Sequence, residues 1–449
     1  AASDVYKRQM RVIWNIGFRG QGDKPFWDDD PQYDTPEKRG ALISALIKEQ
    51  YDLVKANDKH AVCCTNLYGE TMELYKDGFL HLPEDVIKIW ADNGYGKMVS
   101  RRQGNSNPRV PALPPRGDTS AHGIYYHASF YDLQAASHIT MLPNSTEFVA
   151  RELADVMAHG ADDYWLVNCS NVKPHAFLLD LIARCWRDGT VDAGQQCIAY
   201  TAAYYGLLHR CEIAQCLVDY AQFAVPYGSN ADDRAGDQFY NHVPRMLISQ
   251  FVQDRTAPAD DLRWLCEQPT LAGQLQHCTA VFDKAVQSYA AYRRECEKVL
   301  AELTGRPRVL FMDNILLQAQ LYDLWAQGAA FVCKALDAGF TADWQHCFYY
   351  AGCAKRLYAL AYRAMQDCEH GKWVGYYANE CQTDVRQTVQ VCGYLMSFAR
   401  TLGEGPHYYA WMREFGDPED ERRIMLILNT EPHPGDDDLW LLMEQRWGE

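Results

Sequence analysis

The chain has 449 residues, 48% hydrophobic and 23% charged, with a formal net charge of −16 at pH 7. That length suggests two or three domains, and that composition a folded protein rather than a disordered one. The acidic balance argues against nucleic acid as a partner, because phosphate binding needs clustered Lys and Arg. No apolar run approaches the ~18 residues of a membrane span.

Residues Ala1–Gln9 read as a non-native scar, with no signal peptide, and the abrupt entry into an apolar strand implies that part of a domain is missing. From 11 to about 190, short runs rich in Val, Ile, Tyr or Trp predict strands over 11–17, 61–67, 86–91, 123–128 and 164–169. Between them, 36–56 is expected to be helical, with Thr35 as cap, Pro36 at the first helical position and Leu42, Ile43, Leu46, Ile47 and Val54 on one face. Helices are also expected over 145–159, behind an Asn144 cap with Glu147 three on, and over 175–187. Strands alternating with helices mean a parallel sheet. An open doubly wound sheet can hold five strands. The C-terminal five-eighths of a (β/α)8 TIM-like barrel reads the same way, and is preferred because polar residues fall just after the strands.

From about 191 to 410 the pattern becomes long helices of period near 3.6, among them 271–304, 313–337, 342–367 and 382–402. Breaks are expected around Gly305–Pro307, Gly339 and His370–Lys372. The fold class expected is therefore α/β followed by all-α, a partial barrel and a helical bundle. A C-terminal segment, 411–449, carries the apolar run Ile424–Leu428 and is expected to lead towards a further domain. The 16 cysteines show no framework spacing and no CxxC, and many lie among apolar residues (Cys185, Cys197, Cys216, Cys333, Cys392). Neither Cys63–Cys64 nor Cys211 with Cys216 has a zinc-ligand partner nearby, so a reducing cytoplasm and no metal are expected.

Five constellations carry chemistry. Phe18-Arg19-Gly20-Gln21-Gly22-Asp23 follows the first strand, and an arginine fork there can clamp a carboxylate, or an Arg–Asp pair can simply brace a loop. The nearby Asp28–Asp30 run reads as a solvated loop. Leu67-Tyr68-Gly69-Glu70 ends the second strand in a Glu, which is either an acid–base group or a first-turn helix acid. Ile89-Trp90-Ala91-Asp92-Asn93-Gly94-Tyr95-Gly96 combines acid, amide and aromatic at one strand end, which suits a sugar but also describes an Asn-Gly turn. Gly123-Ile124-Tyr125-Tyr126-His127 places a His at the matching position, where a satisfied core histidine is the plainer alternative. The last runs from Trp165 to Pro174, with Lys173 able to meet an anionic sugar or a helix end, and Cys169 lacking the partners of a nucleophile. Singly these are weak. Together, successive strands ending in acid, acid, acid and His suggest one shared site.

Over roughly 12–190, Arg19 through Asp23, Leu67 through Glu70, Trp90 through Gly96, Gly123 through His127 and Trp165 through Pro174 resemble glycoside hydrolase family 115, the xylan α-1,2-glucuronidases. The resemblance implies a barrel followed by a helical bundle. It also implies release of glucuronic acid or its 4-O-methyl ether from acidic xylo-oligosaccharides with inversion, without metal or organic cofactor. Arg19, Asp23, Glu70, Asp92 and His127 fall on positions that matter in the family. Gly94 stands where the family pattern has Asn, and the family's extra N-terminal domain, first barrel strands and C-terminal β domain are not visible, so a fragment is expected.

Inversion needs two carboxylates with room for a water between them. Glu70 is expected as acid, with Asp92 or Asp23 as base. Arg19, His127 and Lys173 would hold the uronate, Asn93 would bond the sugar, and Tyr95 or Tyr125 would stack on the ring. A non-catalytic carbohydrate-binding or scaffold protein is the rival. A third reading makes the helical half a protein-interaction module beside an unrelated α/β domain. Homodimerisation is an open expectation.

Overall fold

The computed structural model describes residues 12–20, 24–100, 109–130, 134–378, 380, 382–405, 410–417 and 433–448. The run Ile424–Leu428 and residues Gln21, Gly22 and Asp23 therefore lie outside the described residues. Contacts divide the chain into two compact units, one of residues 1–130 with 144–196, the other of 131–143 with 197–449. Among the described residues, no helix is long and apolar enough to cross a membrane.

The first unit is built on five parallel strands: β1 Ile13–Asn15, β2 Val62–Leu67, β3 Ile87–Ala91, β4 His122–His127 and β5 Tyr164–Asn168. Their order in the sheet is β1-β2-β3-β4-β5. Each crossover thus advances one strand in the same direction, and right-handed crossovers then put every helix on one face. A doubly wound sheet would reverse direction part-way. This is the singly wound pattern of a barrel, left open as a half-barrel. The apolar face carries Ile13, Cys64, Ile87, Ile89, Tyr125 and Tyr164 in one cluster. Central β3 is buried along its whole length, as a strand covered on both faces must be. Gly123 sits where any Cβ would strike the Tyr164 carbonyl, which lets β4 and β5 approach.

Helix α1 spans Pro36–Asn57, α2 Glu70–Lys76, α3 Thr146–Ala158 and α4 Val172–Asp188. The α1 cap is as expected, with Thr35 Oγ1 accepting from the Lys38 N–H. The α3 cap is a correction: Ser145, not Asn144, accepts from Phe148 N–H at 3.0 Å. Asn144 instead donates to the Tyr95 carbonyl. Helix α4 begins three residues earlier than its periodicity suggested, because Pro174 fits the first turn, where a helix loses nothing by a missing N–H.

The second unit is mostly helical, after α5 Ala193–Tyr204 at the boundary: α6 Arg210–Phe223, α7 Asp237–Gln253, α8 Leu271–Glu302, α9 Gly305–Phe311, α10 Leu317–Phe340, α11 Trp344–Asp367, α12 Val385–Gly403, α13 Ala410–Gly416 and α14 Asp436–Trp447. A π-turn at Met312–Leu316 joins α9 to α10. The break expected around Gly339 falls two residues on, at 341–343 between α10 and α11, and α10 runs through Gly339 to Phe340. Glycine is there for space, since a Cβ would lie 2.6 Å from Phe251 Cζ. The core holds the stacked pair Tyr289–Tyr322, 4.8 Å apart, with Tyr240, Phe282 and Trp325 around it. Asp237, fully buried, ties 138–140 to this core by accepting three backbone N–H bonds and the Thr140 hydroxyl. Its other oxygen accepts from Thr383 Oγ1 at 2.8 Å.

Two expected results follow from this packing. A Cβ at Gly352 would run into the Trp440 indole, which seats α14 on α11. Gly352→Ala should cost ~1–3 kcal/mol by overpacking, read by denaturant unfolding, and an unchanged midpoint would show that Trp440 does not hold α14. Glu380 accepts N–H bonds from Gln382, Thr383 and Asp384, yet burial, with Asp237 adding repulsion, raises its carboxyl from 4.5 to about 6. The folded state then keeps a proton that the unfolded state releases, so stability falls as pH rises from 4.5 through about 6. His242, pushed by burial to about 4, works in the opposite sense as pH falls from 6.5. Comparing Glu380→Gln with the parent isolates the first effect. The variant should lose less stability than the parent between pH 4.5 and 6, and parallel curves would refute it.

Candidate active site

The C-terminal edge of a parallel β/α sheet is where side chains from successive strands converge, because each strand must end there and release its chain into a loop. After β1, Arg19 turns back and its Nε donates to Glu70 Oε1 at 2.7 Å. Its guanidinium also lies 4.9 Å over the Tyr68 ring. Both side chains of the ion pair are largely shielded, at 18% and 13% exposure, without being sealed. Glu70 is the first residue of α2, reached through Gly69 at a φ of 52°, a left-handed conformation that glycine adopts without strain. Arg19 and Glu70 are thus brought together from neighbouring strands β1 and β2. Asp23 is outside the described residues.

After β3, Asp92 is 2% exposed and its carboxylate is surrounded by donors. Oδ1 accepts from Gly94 N–H at 3.0 Å and from His127 Nδ1. Oδ2 accepts from Gly96 N–H at 3.0 Å and from the His127 backbone N–H at 3.2 Å. A carboxylate offers about four lone-pair sites, and four donors occupy them. Asp92 therefore shapes the 93–97 loop and holds the His127 ring at once. Because a carboxylate accepts and cannot donate, the proton of this bond is on Nδ1. His127 Nε2, the ring's other nitrogen, is buried and without a hydrogen-bond partner among the described residues. Phe130 packs edge-on to the ring at 4.5 Å and Tyr125 lies 4.7 Å away.

Asn93 completes the loop, its Oδ1 accepting from Tyr95 N–H at 3.0 Å and Lys97 N–H at 3.2 Å. Gly94 and Gly96 have φ of 83° and 75°. Glycine takes this left-handed region without strain, and Asn is the side-chain-bearing residue that best tolerates it. Tyr126, on the face opposite Tyr125, donates its hydroxyl to the Gly96 carbonyl at 3.0 Å. Burial pushes its phenol well up, with the charges of Asp92 and Glu152 adding to the effect, which keeps it a donor. On β5, Asn168 Nδ2 donates to Tyr125 Oη at 2.7 Å. Lys173 is buried in the first turn of α4. The Cys169 thiol is raised by burial.

The structure thus makes two close groups of the candidates, Arg19 with Glu70 and Asp92 with His127, while Asn93 serves the loop, Tyr125 flanks His127, and Tyr95 gives its carbonyl to Asn144. Sequence reasoning gave no role to Tyr68 or Asn168, although both stand inside its motifs, and did not name Phe130. Asn168 ends a strand like the others and was open to the same positional argument. Nothing in the sequence marks Phe130.

Residues 4–227 match the family described as Glycosyl hydrolase family 115. Among solved structures, one of a novel family GH115 4-O-methyl-α-glucuronidase with specificity for decorated arabinogalactans is similar in fold, with a TM-score of 0.54 at 14% identity. The similarity covers 87% of this chain and 47% of that one, so the chain spans about half that structure's length. No curated protein matches.

Proposed function

Residues 4–227 place this chain in glycosyl hydrolase family 115, and from that membership we propose that it removes glucuronic acid, or its 4-O-methyl ether, from α-1,2 linkages on xylan-derived oligosaccharides with inversion. The observation that carries the reading is the ion pair of Glu70 with Arg19 at the strand ends. It puts a carboxylate beside a guanidinium fork suited to a uronate. In this reading Glu70 enters the reaction as the carboxylic acid, one oxygen accepting from Arg19 Nε and the other giving its proton to the leaving oxygen, while a second carboxylate takes a proton from the attacking water on the opposite face. Asp92 has its lone pairs engaged, which favours Asp23, four residues beyond Arg19, as that base. Asp92 then acts through His127, whose Nε2 is presented to the substrate. A guanidinium has five donors, so Arg19 bridges Glu70 and the sugar carboxylate, with Lys173 adding charge. Tyr125 supplies the stacking face. Action on imported oligosaccharides in the cytoplasm is part of the proposal, and recovery of the protein from culture supernatant would count against it.

The test is incubation with glucuronic-acid-bearing xylo-oligosaccharides, following the freed sugar by proton NMR. First-formed β-glucuronic acid supports the reading, first-formed α-anomer overturns inversion, and binding without release replaces hydrolysis with carbohydrate recognition.

A further inference from the structure

The second unit holds an open cavity of about 740 Å³ between α11 and α14, within the ~300–1,000 Å³ usual for small-ligand sites. Its walls are mostly rings and charges, with Leu357 the aliphatic side chain among them. Trp447, half-buried, lies parallel to His346 at 4.5 Å and perpendicular to Phe415 and Tyr349 at 4.9 and 5.3 Å, and Trp440 lies parallel to Tyr349 at 5.9 Å. The Arg356 guanidinium covers the Trp440 ring at 3.4 Å. Asp437, its nearby carboxylate, is held more closely by Lys355, at 2.8 Å against 3.6 Å. Arg446 is exposed at the rim, and Glu444 is occupied in accepting the Tyr349 hydroxyl at 2.7 Å.

We propose that this cavity is a second carbohydrate-binding site, taking a uronic-acid-bearing oligosaccharide by stacking a sugar ring on Trp447 and meeting its carboxylate with Arg356 and Arg446. The assignment of an acidic sugar rests on the function proposed above. The physical case is the combination itself. Pyranose C–H faces pack on flat rings, and a guanidinium fork fits a carboxylate. Rigid rings stacked on one another are held in place before the ligand arrives, so little side-chain freedom is lost on binding.

The experiment is calorimetric titration of the whole chain carrying Glu70→Gln with a glucuronic-acid-bearing xylo-oligosaccharide and with its neutral counterpart of equal length. Two binding events are expected for the acidic ligand, one of them removed by Trp447→Ala. Arg446→Gln, at an exposed position where the guanidinium also lies 5.3 Å over the Phe415 ring, should weaken that same event about tenfold for the acidic ligand and not for the neutral one. A single event indifferent to both substitutions overturns the site, and equal loss for both ligands overturns the carboxylate contact. Should the parent release no glucuronic acid while Trp447-dependent binding persists, the hydrolase reading falls and the cavity stands. Release of glucuronic acid without Trp447-dependent binding overturns the cavity and leaves the hydrolase reading in place.

Discussion

Glu70→Gln is expected to lower kcat on a glucuronic-acid-bearing oligosaccharide by ~10²–10⁴-fold, the range removed with a positioned proton-transfer group. The substitution keeps the shape of the side chain and an oxygen able to accept from Arg19 Nε, now 2.7 Å away. What disappears is the carboxyl's capacity to carry a proton and release it. KM should therefore move far less than kcat, the signature of an interaction used in the transition state rather than in binding. Arg19→Gln is the complementary variant. It removes the fork and should raise KM for the acidic substrate, leaving a neutral one indifferent. If Glu70→Gln costs less than about tenfold in kcat, Glu70 is a brace for Arg19 and the proton donor is elsewhere. Steady-state kinetics on both variants separates the cases.

Asp92→Asn should be damaging in two measurements at once. The native carboxylate accepts from the N–H groups of Gly94, Gly96 and His127 and from His127 Nδ1. An amide has one accepting oxygen, and its NH2 faces donors. At least one buried N–H is left unsatisfied, at ~1–3 kcal/mol for each such group. The His127 ring is then free to adopt the other tautomer or to turn, so kcat should fall together with the unfolding midpoint. Asp92→Glu keeps the charge and displaces it, and should restore part of the stability with little of the rate. Unfolding curves identical to the parent for Asp92→Asn would show that the buried network contributes nothing. Normal kcat with lost stability would confine Asp92 to the fold.

The alternation of strands and helices was legible because each element announces itself locally. Val62–Leu67 and Tyr164–Asn168 are short β-branched and aromatic runs, and Pro36–Asn57 opens on Thr35-Pro36. Their ends fell within two residues of expectation in the strands, less closely where a glycine serves packing, as Gly339 does against Phe251. That difference is physical: a chain-local signal says that glycine permits a break, and only the neighbouring helix says that it is there for space. The Ser145 cap has the same origin, since Asn144 and Ser145 are equally good caps until one of them finds a carbonyl at Tyr95.

The sequence by itself determined the element types, the serial placement of Glu70, Asp92 and His127 at strand ends, and the switch to helices behind them, because periodicity and capping act over a few residues. Only the tertiary structure decided which polar groups meet. Arg19 finds Glu70 across 51 residues and His127 finds Asp92 across 35, pairings fixed by which strands lie side by side. The same holds for the cavity, whose lining runs from Gln327 to Gly448. A buried donor or acceptor must find its partner wherever the packing brings one, and that partner is set by the register of the sheet and the crossing of the helices rather than by neighbours along the chain.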